Sequence, residues 1–273
     1  MRINNILDSS PKDSFYYFLQ RCNKLKGVDL QHISDVAITT IRYLNADNKT
    51  RQKLRQHQVL EQRWYSSLLA GSPDWEVYNT DYYLGELWAC WIVYSRRYLL
   101  SLRSSRAIYN HSVFEDIGEV NSIVDLGCGF GYTTAAFTEI FPKATITGTN
   151  RIGTLQYNLA IETGKQYGFT VLPDINLIKR RIDIIFASEY FEHILNPIDH
   201  LLDILQKLKP RVLLIANTFS QKSVGHFDYY KVNGSLLDGK TTSRLFNSEL
   251  RNAGYIQIKT KLWNNRPAYW RAE

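Results

Sequence analysis

Long apolar runs, cysteines and processing signals are all scarce in this chain of 273 residues. Because no stretch reaches 18 apolar residues, the sequence predicts no transmembrane helix. Residues 1–5 lack the apolar core of a signal peptide. The three cysteines form an odd, scattered set without metal-ligand spacing: Cys22, Cys90 and Cys128. We therefore expect a protein of a reducing, cytoplasmic compartment.

Charge of one sign is not concentrated in any part of the chain. The formal net charge is +7, without a basic tail, and the densest basic patches are residues 49–55 and 179–181. Such patches can contact phosphate, but a solvated helix face or loop is the simpler interpretation. Nucleic acid is therefore a disfavoured partner. A hydrophobic content of 44% fits a globular protein with one large domain, or one domain and an appendage.

A strand, a glycine turn and a helix are predicted over residues 122–140. The apolar run at 122–124 indicates a buried strand, and glycines follow at 127, 129 and 131 before a helical run. Such a unit lets a backbone approach a nucleotide closely, because glycine has no Cβ and tolerates positive φ. It differs from the dinucleotide fingerprint G-x-G-x-x-G, since the third glycine comes two residues after the second.

The segment from Asp125 to Gly131, Asp-Leu-Gly-Cys-Gly-Phe-Gly, resembles the S-adenosylmethionine-binding motif of class I methyltransferases. The resemblance implies S-adenosyl-L-methionine as the cofactor, with Gly127, Cys128 and Gly129 at its methionine end. Asp125 would hold the loop or accept from the ammonium group of the cofactor. The alternative is a glycine-rich turn in some other α/β protein.

The periodicity changes near residue 115. Before it, the spacing predicts helices over 13–25, 32–44, 49–70 and 82–103. After residue 118, the pattern alternates between strand and helix. It predicts strands over 122–126, 144–149, 169–172, 183–187 and 211–216, with helices between them, and a final hairpin of 255–262 with 267–271. The last helix before this hairpin is predicted to begin at its cap, Ser243. Alternating strands and helices predict an α/β fold with helices on both faces of a mostly parallel sheet. Five strands and the hairpin match the seven-stranded sheet of class I methyltransferases, a resemblance that covers residues 119–273. The change of pattern divides the chain into a helical region, 1–115, and a cofactor-binding domain, 116–273.

Ligands of an open α/β sheet bind beyond the carboxyl ends of the strands. After the second strand, the family usually has an acidic residue that binds the ribose, whereas this chain has Asn150. An uncharged amide should hold a ribose more weakly, although Gly148-Thr149-Asn150 followed by Gln156 loosely resembles a branch acting on small molecules and lipids. After the third strand, Asp174 would accept from the adenine amino group; it is alternatively an ordinary turn aspartate.

The segment from Ala187 to Pro197, after the fourth strand, resembles a family motif that faces both adenosine and acceptor. Glu189 and Tyr190 are candidates for the cofactor site. Glu192 and His193 are candidate catalytic residues, because an imidazole can take a proton from an acceptor hydroxyl or amine near neutral pH. Alternatively, His193 is structural and positioning supplies the rate. No metal site is predicted, since Glu189, Glu192 and His193 lie too close in sequence and no second cluster supports them.

The segment after the fifth strand is a long predicted loop before the helix at Ser243, and it contains His226. A loop of this length is usually functional or mobile. The family places acceptor-recognition elements here, so His226 is a third candidate catalytic residue and Tyr229 and Tyr230 are lesser ones.

Two interpretations of the helical region stay open. It forms a cap over the acceptor pocket, lined by residues 78–83 and Trp88, or an accessory layer that pairs two subunits in a homodimer. Aromatic residues at helical spacing are most often core.

The resemblance implies an enzyme that moves a methyl group to oxygen, nitrogen or carbon of a small-molecule acceptor. Base-flipping nucleic-acid enzymes are disfavoured, because the segment after the fourth strand has no proline pair and no cysteine follows a proline. Another transfer on the same fold, such as aminopropyl transfer, is one alternative. A protein that binds or modifies nucleic acid with the same fold is the other, and salt-dependent binding without turnover would support a purely binding role.

Overall fold

The computed structural model describes residues 5–47, 49–51 and 59–273. The predicted helix over 49–70 is therefore described only in part, and most of the basic patch at 49–55 and of residues 1–5 lies outside the described residues. Within the described part, no helix combines the length and apolar character needed to span a bilayer.

The N-terminal third is helical, as predicted. Its helices are α1 (Pro11–Cys22), α2 (Leu30–Asn45), α3 (Val59–Leu69), α4 (Asp81–Cys90), α5 (Arg96–Arg103) and α6 (Val113–Ile117). Side-chain caps set several of the starts: Ser10, Asp29 and Thr80 accept from the first backbone amides of α1, α2 and α4. A π-helical turn, Trp91–Ser95, joins α4 to α5. The extra residue in that turn rotates the side chains that follow relative to an unbroken helix.

The remainder of the chain forms the predicted seven-stranded sheet. Its strands are β1 (Ser122–Leu126), β2 (Thr145–Thr149), β3 (Thr170–Leu172), β4 (Ile184–Ser188), β5 (Val212–Ala216), β8 (Tyr255–Ile258) and β9 (Ala268–Ala272), in the order β3-β2-β1-β4-β5-β9-β8. Strands β1 to β5 are parallel, and β8 and β9 are antiparallel. The connecting helices are α7 (Tyr132–Ile140), α8 (Leu155–Tyr167), α9 (Pro197–Leu208) and α10 (Gly239–Asn252).

Two details differ from the sequence-based expectation. The long loop after β5 contains a hairpin of β6 (Tyr229–Val232) and β7 (Ser235–Asp238), joined by Asn233-Gly234 with positive φ at both residues. Helix α10 begins at Gly239 rather than at Ser243, because the Asp238 carboxylate accepts from the Thr241 amide and caps the helix earlier.

The helical region and the sheet share one hydrophobic core. Phe18 of α1 packs against Phe130 of the glycine loop, with ring centroids 5.0 Å apart, and both side chains are buried. Trp91 and Tyr132 complete this aromatic cluster. The helices therefore cover the glycine loop, at the crevice beside β1 and β4 where the strand order reverses.

This shared core generates a stability prediction. Phe18→Ala should lower the free energy of unfolding by about 3–5 kcal/mol, because it leaves a cavity between the helices and the glycine loop. Tyr16→Ala is the matched control on the same helix, since Tyr16 is 62% exposed, and it should change stability by less than about 0.5 kcal/mol. Urea unfolding followed by circular dichroism measures both. An unchanged midpoint for Phe18→Ala would contradict a shared core.

Candidate active site

A cavity of about 770 Å³ lies between the helical region and the carboxyl ends of the parallel strands. Volumes of this order suit a cofactor together with a small ligand. The sheet side contributes residues at or after the carboxyl ends of β1 to β5. The helical side contributes six aromatic residues: Trp75, Tyr78, Tyr83, Trp91, Tyr94 and Tyr98.

Trp88, a lining residue in one of the two interpretations of the helical region, is not in the cavity wall. It packs in the core against Phe15, with ring centroids 4.3 Å apart, as aromatic residues at helical spacing most often do. Trp91, one helical turn later, is the tryptophan of this stretch that reaches the cavity. Of the segment 78–83, which one interpretation places in the pocket, Tyr78 and Tyr83 line the cavity and Tyr82 does not.

The glycine loop turns tightly at the end of β1. Gly127 has φ +65°, and a Cβ at this position would lie 2.6 Å from the Tyr190 ring. The Cys128 amide donates to the Thr149 carbonyl at 2.9 Å, which ties the loop to the end of β2. Gly127, Cys128 and Gly129 all line the cavity, so a ligand there can approach the backbone itself.

Asp125 is the last residue but one of β1, just before this loop. Its side chain is only 2% exposed and accepts a hydrogen bond from the Thr134 hydroxyl at 2.7 Å. Burial raises the pKa of this carboxyl to about 7. Asp125 also lines the cavity, so a cationic group bound there would favour its ionised form.

The Asn150 side chain holds the glycine loop, a structural role that its position in the sequence did not indicate. Its Nδ2 donates to the Gly129 carbonyl at 2.6 Å, and its Oδ1 accepts from the Arg151 amide and from Gln156 Nε2. The amide therefore ties the glycine loop to the end of β2. Gln156, also buried, keeps an Oε1 atom without a hydrogen-bond partner and lines the cavity. Gln156 is thus the residue of this pair with an unused acceptor.

Asp174 and Tyr190, two candidates for the cofactor site, both line the cavity. Asp174 is exposed and caps a short 3-10 turn, and the Asn176 amide that it accepts from is the main reason that its pKa is lowered. The Tyr190 hydroxyl lies 2.9 Å from His200 Nε2. Phe191 is fully buried beside Phe246 and does not reach the cavity.

Two glutamates meet at the cavity wall: Glu189 lines the cavity, and Glu192 lies behind it. The Thr218 hydroxyl contacts both the Glu189 and the Glu192 carboxyls, and its amide donates to Glu192 Oε1 at 2.7 Å. Glu189 adopts φ +52° and also faces Arg266 at 3.8 Å. Burial and the neighbouring Glu192 raise the pKa of Glu189 to about 8. Glu192 is fully buried and is not a lining residue, although we expected it to be catalytic.

His193 and His226 come together although 33 positions separate them. Their rings are perpendicular, with centroids 4.7 Å apart. His193 Nδ1 lies 3.1 Å from the Tyr78 hydroxyl, and His226 Nδ1 lies 2.7 Å from the Gln221 carbonyl. Burial lowers the pKa of both imidazoles, that of His193 well below 6.5, so both are neutral at pH 7. Both rings line the cavity.

Some residues of the site escaped the sequence analysis. Thr218 follows β5, Arg266 precedes β9, and Glu86 lies on α4 in the cavity wall. Burial raises the pKa of Glu86 to about 8. The sequence could have indicated Glu86, because it lies three residues after Tyr83 and four before Cys90 and therefore shares their helix face. Nothing local to Thr218 or Arg266 indicated their roles.

Comparisons with known proteins agree with this architecture. A family model described as a methyltransferase domain matches residues 97–261, more than half of the chain. An O-methyltransferase family protein from Burkholderia thailandensis has a similar structure, with a TM-score of 0.50 and 11% identity over 71% of this chain and 60% of its own. The mitomycin 7-O-methyltransferase aligns over 98% of this chain and 74% of its own, with a TM-score of 0.48 and 13% identity. No curated protein matches the sequence.

The role of Asn150 is testable by its effect on stability. Asn150→Ala should cost about 1–3 kcal/mol, because it leaves the Gly129 carbonyl and Gln156 Nε2 without their partner in a buried place. Asn158→Ala, at an exposed position of α8, is the matched control and should be nearly neutral. Thermal and urea unfolding measure the difference. Normal stability of Asn150→Ala would show that the amide does not hold the loop.

Proposed function

This chain belongs to the S-adenosylmethionine-dependent methyltransferase family, and we propose that it moves the methyl group to an oxygen, nitrogen or carbon atom of a small-molecule acceptor. The observation that carries the proposal is the continuity of one cavity. The glycine loop lines one part of it, and His193, His226 and the aromatic residues of the helical region line another. Cofactor and acceptor can therefore meet in one cavity.

The residues present fit the cofactor. Gly127 supplies a cradle that a Cβ would fill, and Gln156 Oε1 is a buried acceptor without a protein partner. We assign the methionine end to Asp125, Gly127, Cys128 and Gly129, which line one wall. When bound, the cofactor supplies a sulfonium-linked methyl group that is ready for direct displacement.

The nucleoside end of the cofactor would occupy the wall formed by the ends of β2, β3 and β4. Gln156 Oε1 would accept from a ribose hydroxyl, with Asn150 fixing its orientation through Nε2. Asp174 and Tyr190 would meet the adenine, the former by accepting from its amino group. Asn150 was expected to bind the ribose itself. Because its side-chain polar atoms are already hydrogen-bonded to the Gly129 carbonyl and the Arg151 amide, we instead assign it the role of orienting Gln156.

His193 is the base that the geometry favours for an acceptor carrying a hydroxyl or amine. With Nδ1 paired to the Tyr78 hydroxyl at 3.1 Å, Nε2 is the nitrogen that would take the proton released as the acceptor atom bonds to the methyl carbon. The ring is neutral and wedged between Tyr78 and His226. Its position is thereby restricted, and positioning supplies much of the rate in a displacement of this kind.

The aromatic wall favours an acceptor with a flat ring. Trp75, Tyr78 and Tyr83 form a contiguous set, with centroid separations of 6.0 Å and 4.7 Å along it. Offset and edge-to-face contacts with such side chains stabilise a bound ring. We interpret the helical region, 1–115, as a cap on the cofactor-binding domain, 116–273. A homodimer through these helices is the alternative use of the same region.

Neither rival function gains support from the site. Lys179, Arg180 and Arg181 are exposed and lie outside the cavity lining, so a nucleic-acid role has no observation in its favour beyond net charge. The three cysteines are free thiols, in keeping with our expectation of a reducing, cytoplasmic compartment.

Two variants separate cofactor binding from catalysis. Gly127→Ala should weaken S-adenosylmethionine binding at least about tenfold, because the left-handed backbone and the Tyr190 contact both oppose a Cβ. His193→Ala should bind the cofactor normally and lower turnover by about 10²- to 10⁴-fold. Calorimetry measures binding, and release of S-adenosylhomocysteine over a panel of phenols and aromatic amines measures turnover. Normal turnover by His193→Ala would reject the base, and no binding by the wild-type protein would reject the function.

The Asp125 carboxyl should make the affinity for the cofactor depend on pH. Its pKa in the free protein is about 7, and a bound ammonium group would stabilise the ionised form. Cofactor affinity should therefore rise roughly five- to tenfold between pH 6 and 7.5, with release of a proton on binding. Calorimetry in two buffers of different ionisation enthalpy measures both. Asp125→Asn should bind more weakly and lose this pH dependence; an unchanged profile would place the ammonium group elsewhere.

A further inference from the structure

We propose that Glu189, Glu192 and His226 form a binding site for one divalent metal ion at the acceptor side of the cavity. One ligand atom from each of the three side chains lies within 4.8 Å of the others. This is the spacing at which three side chains can hold a single ion with small adjustments. Glu189 and Glu192 are near neighbours in the chain, whereas His226, from the segment after β5, is brought to them by the fold.

Glu192 supplies the observation that points to a ligand. Its side chain is fully buried, and Oε1 accepts from both the amide and the hydroxyl of Thr218. Its other oxygen, Oε2, has no hydrogen-bond partner. A buried carboxylate oxygen without a partner is costly, and a metal ion bound to Oε2 would remove that cost. Thr218 holds the carboxyl in place, as partners behind metal ligands commonly do.

His226 is oriented in the manner of a metal-binding histidine. It is 4% exposed, and Nδ1 lies 2.7 Å from the Gln221 carbonyl. A carbonyl oxygen only accepts, so Nδ1 carries the proton and Nε2 keeps the lone pair. Fixing the tautomer through the far nitrogen is the arrangement found behind most metal-bound imidazoles.

The charges favour a divalent ion. The carboxyl groups of Glu189 and Glu192 meet on one hydroxyl in a mostly buried place, where two negative charges need a compensating positive charge. Arg266 is one cation near them, 3.8 Å from Glu189 Oε1. A divalent ion bound by two carboxylates and a neutral imidazole forms a set with no net charge. Mixed oxygen and imidazole ligands suit Mn²⁺, Co²⁺ or Zn²⁺.

The position of the proposed ion at the cavity wall would allow it to bind the acceptor. Glu189 and His226 line the cavity while Glu192 lies behind it, so an ion held by these three side chains would have its unused coordination positions on the cavity side. Three protein ligands with an open position are typical of catalytic sites. An acceptor oxygen in that position would ionise more readily, and its proton would go to His193 Nε2. As the oxygen bonds to the methyl carbon, the bond from that carbon to the sulfonium sulfur would break, and the sulfur would leave with the electron pair as a neutral thioether. This task rests on the proposed function, whereas binding of the ion does not.

Titration of the EDTA-treated, dialysed protein with Co²⁺ tests the site without any cofactor. Calorimetry and the visible absorption of Co²⁺ should report one equivalent bound. Glu192→Gln and His226→Gln should each weaken binding by about 10- to 100-fold, since each removes a ligand. Glu119→Gln is the control at an exposed position away from the site and should bind like the wild type. Urea unfolding checks each variant, and Glu189→Gln, in the more exposed ligand, replaces any that fails to fold.

The outcomes separate this site from the cofactor site. Absence of Co²⁺ binding by the wild type, or equal binding by the ligand variants, overturns the metal site. S-adenosylmethionine binding measured in EDTA depends only on the glycine-loop wall. Cofactor binding without Co²⁺ binding rejects the ion alone, and Co²⁺ binding without cofactor binding supports the ion while rejecting the proposed function.

Discussion

The packing of the N-terminal helices on the glycine loop is the constraint on which the rest of this structure depends. Phe130 lies within that loop, and its ring is enclosed by Phe18, Trp91 and Tyr132. The same contact closes the hydrophobic core and positions the aromatic wall opposite the strand ends. The cavity is therefore the space left between two parts that share a core, so its shape is as rigid as the packing around it.

A layer of buried polar groups lies directly beneath that cavity. Asp125, Asn150, Gln156 and Glu192 are each at most 8% exposed. Burying such groups is unfavourable unless hydrogen bonds compensate, and most of their atoms are paired with the glycine loop, with Thr134 or with Thr218. The atoms left unpaired, Gln156 Oε1 and Glu192 Oε2, belong to the two regions where ligands are proposed. These unpaired atoms lower the stability of the folded protein, and the same atoms are available to bind the proposed ligands.

The sequence predicted the elements well where local pattern and fold agree. Strand β1 was predicted with its observed bounds, because an apolar run followed by glycines leaves one interpretation. The β6–β7 hairpin was missed although its Asn233-Gly234 turn is a strong hairpin signal, since the segment was judged by its length. Core and pocket both stayed open for Trp88 because several faces of this helix are apolar, so periodicity alone could not select the face that reaches the cavity.

The site itself was only partly predictable. The motif named the residues that line the cavity, since strand ends of a parallel sheet converge. It did not reveal that Asn150 is engaged with Gly129, or that Thr218 joins two glutamates, because both contacts join residues from different strand ends. His226 meets Glu189 and Glu192 only through tertiary structure. Contacts of this kind leave no trace in the spacing of one sequence.

Native mass spectrometry tests the central claim most directly, namely that the cavity above the glycine loop is a cofactor site. The protein is measured as purified, and again with saturating S-adenosylmethionine or S-adenosylhomocysteine. We expect one retained or added ligand per chain, at the mass of one of these molecules. A protein that stays bare with both ligands, while folded by circular dichroism, would contradict it.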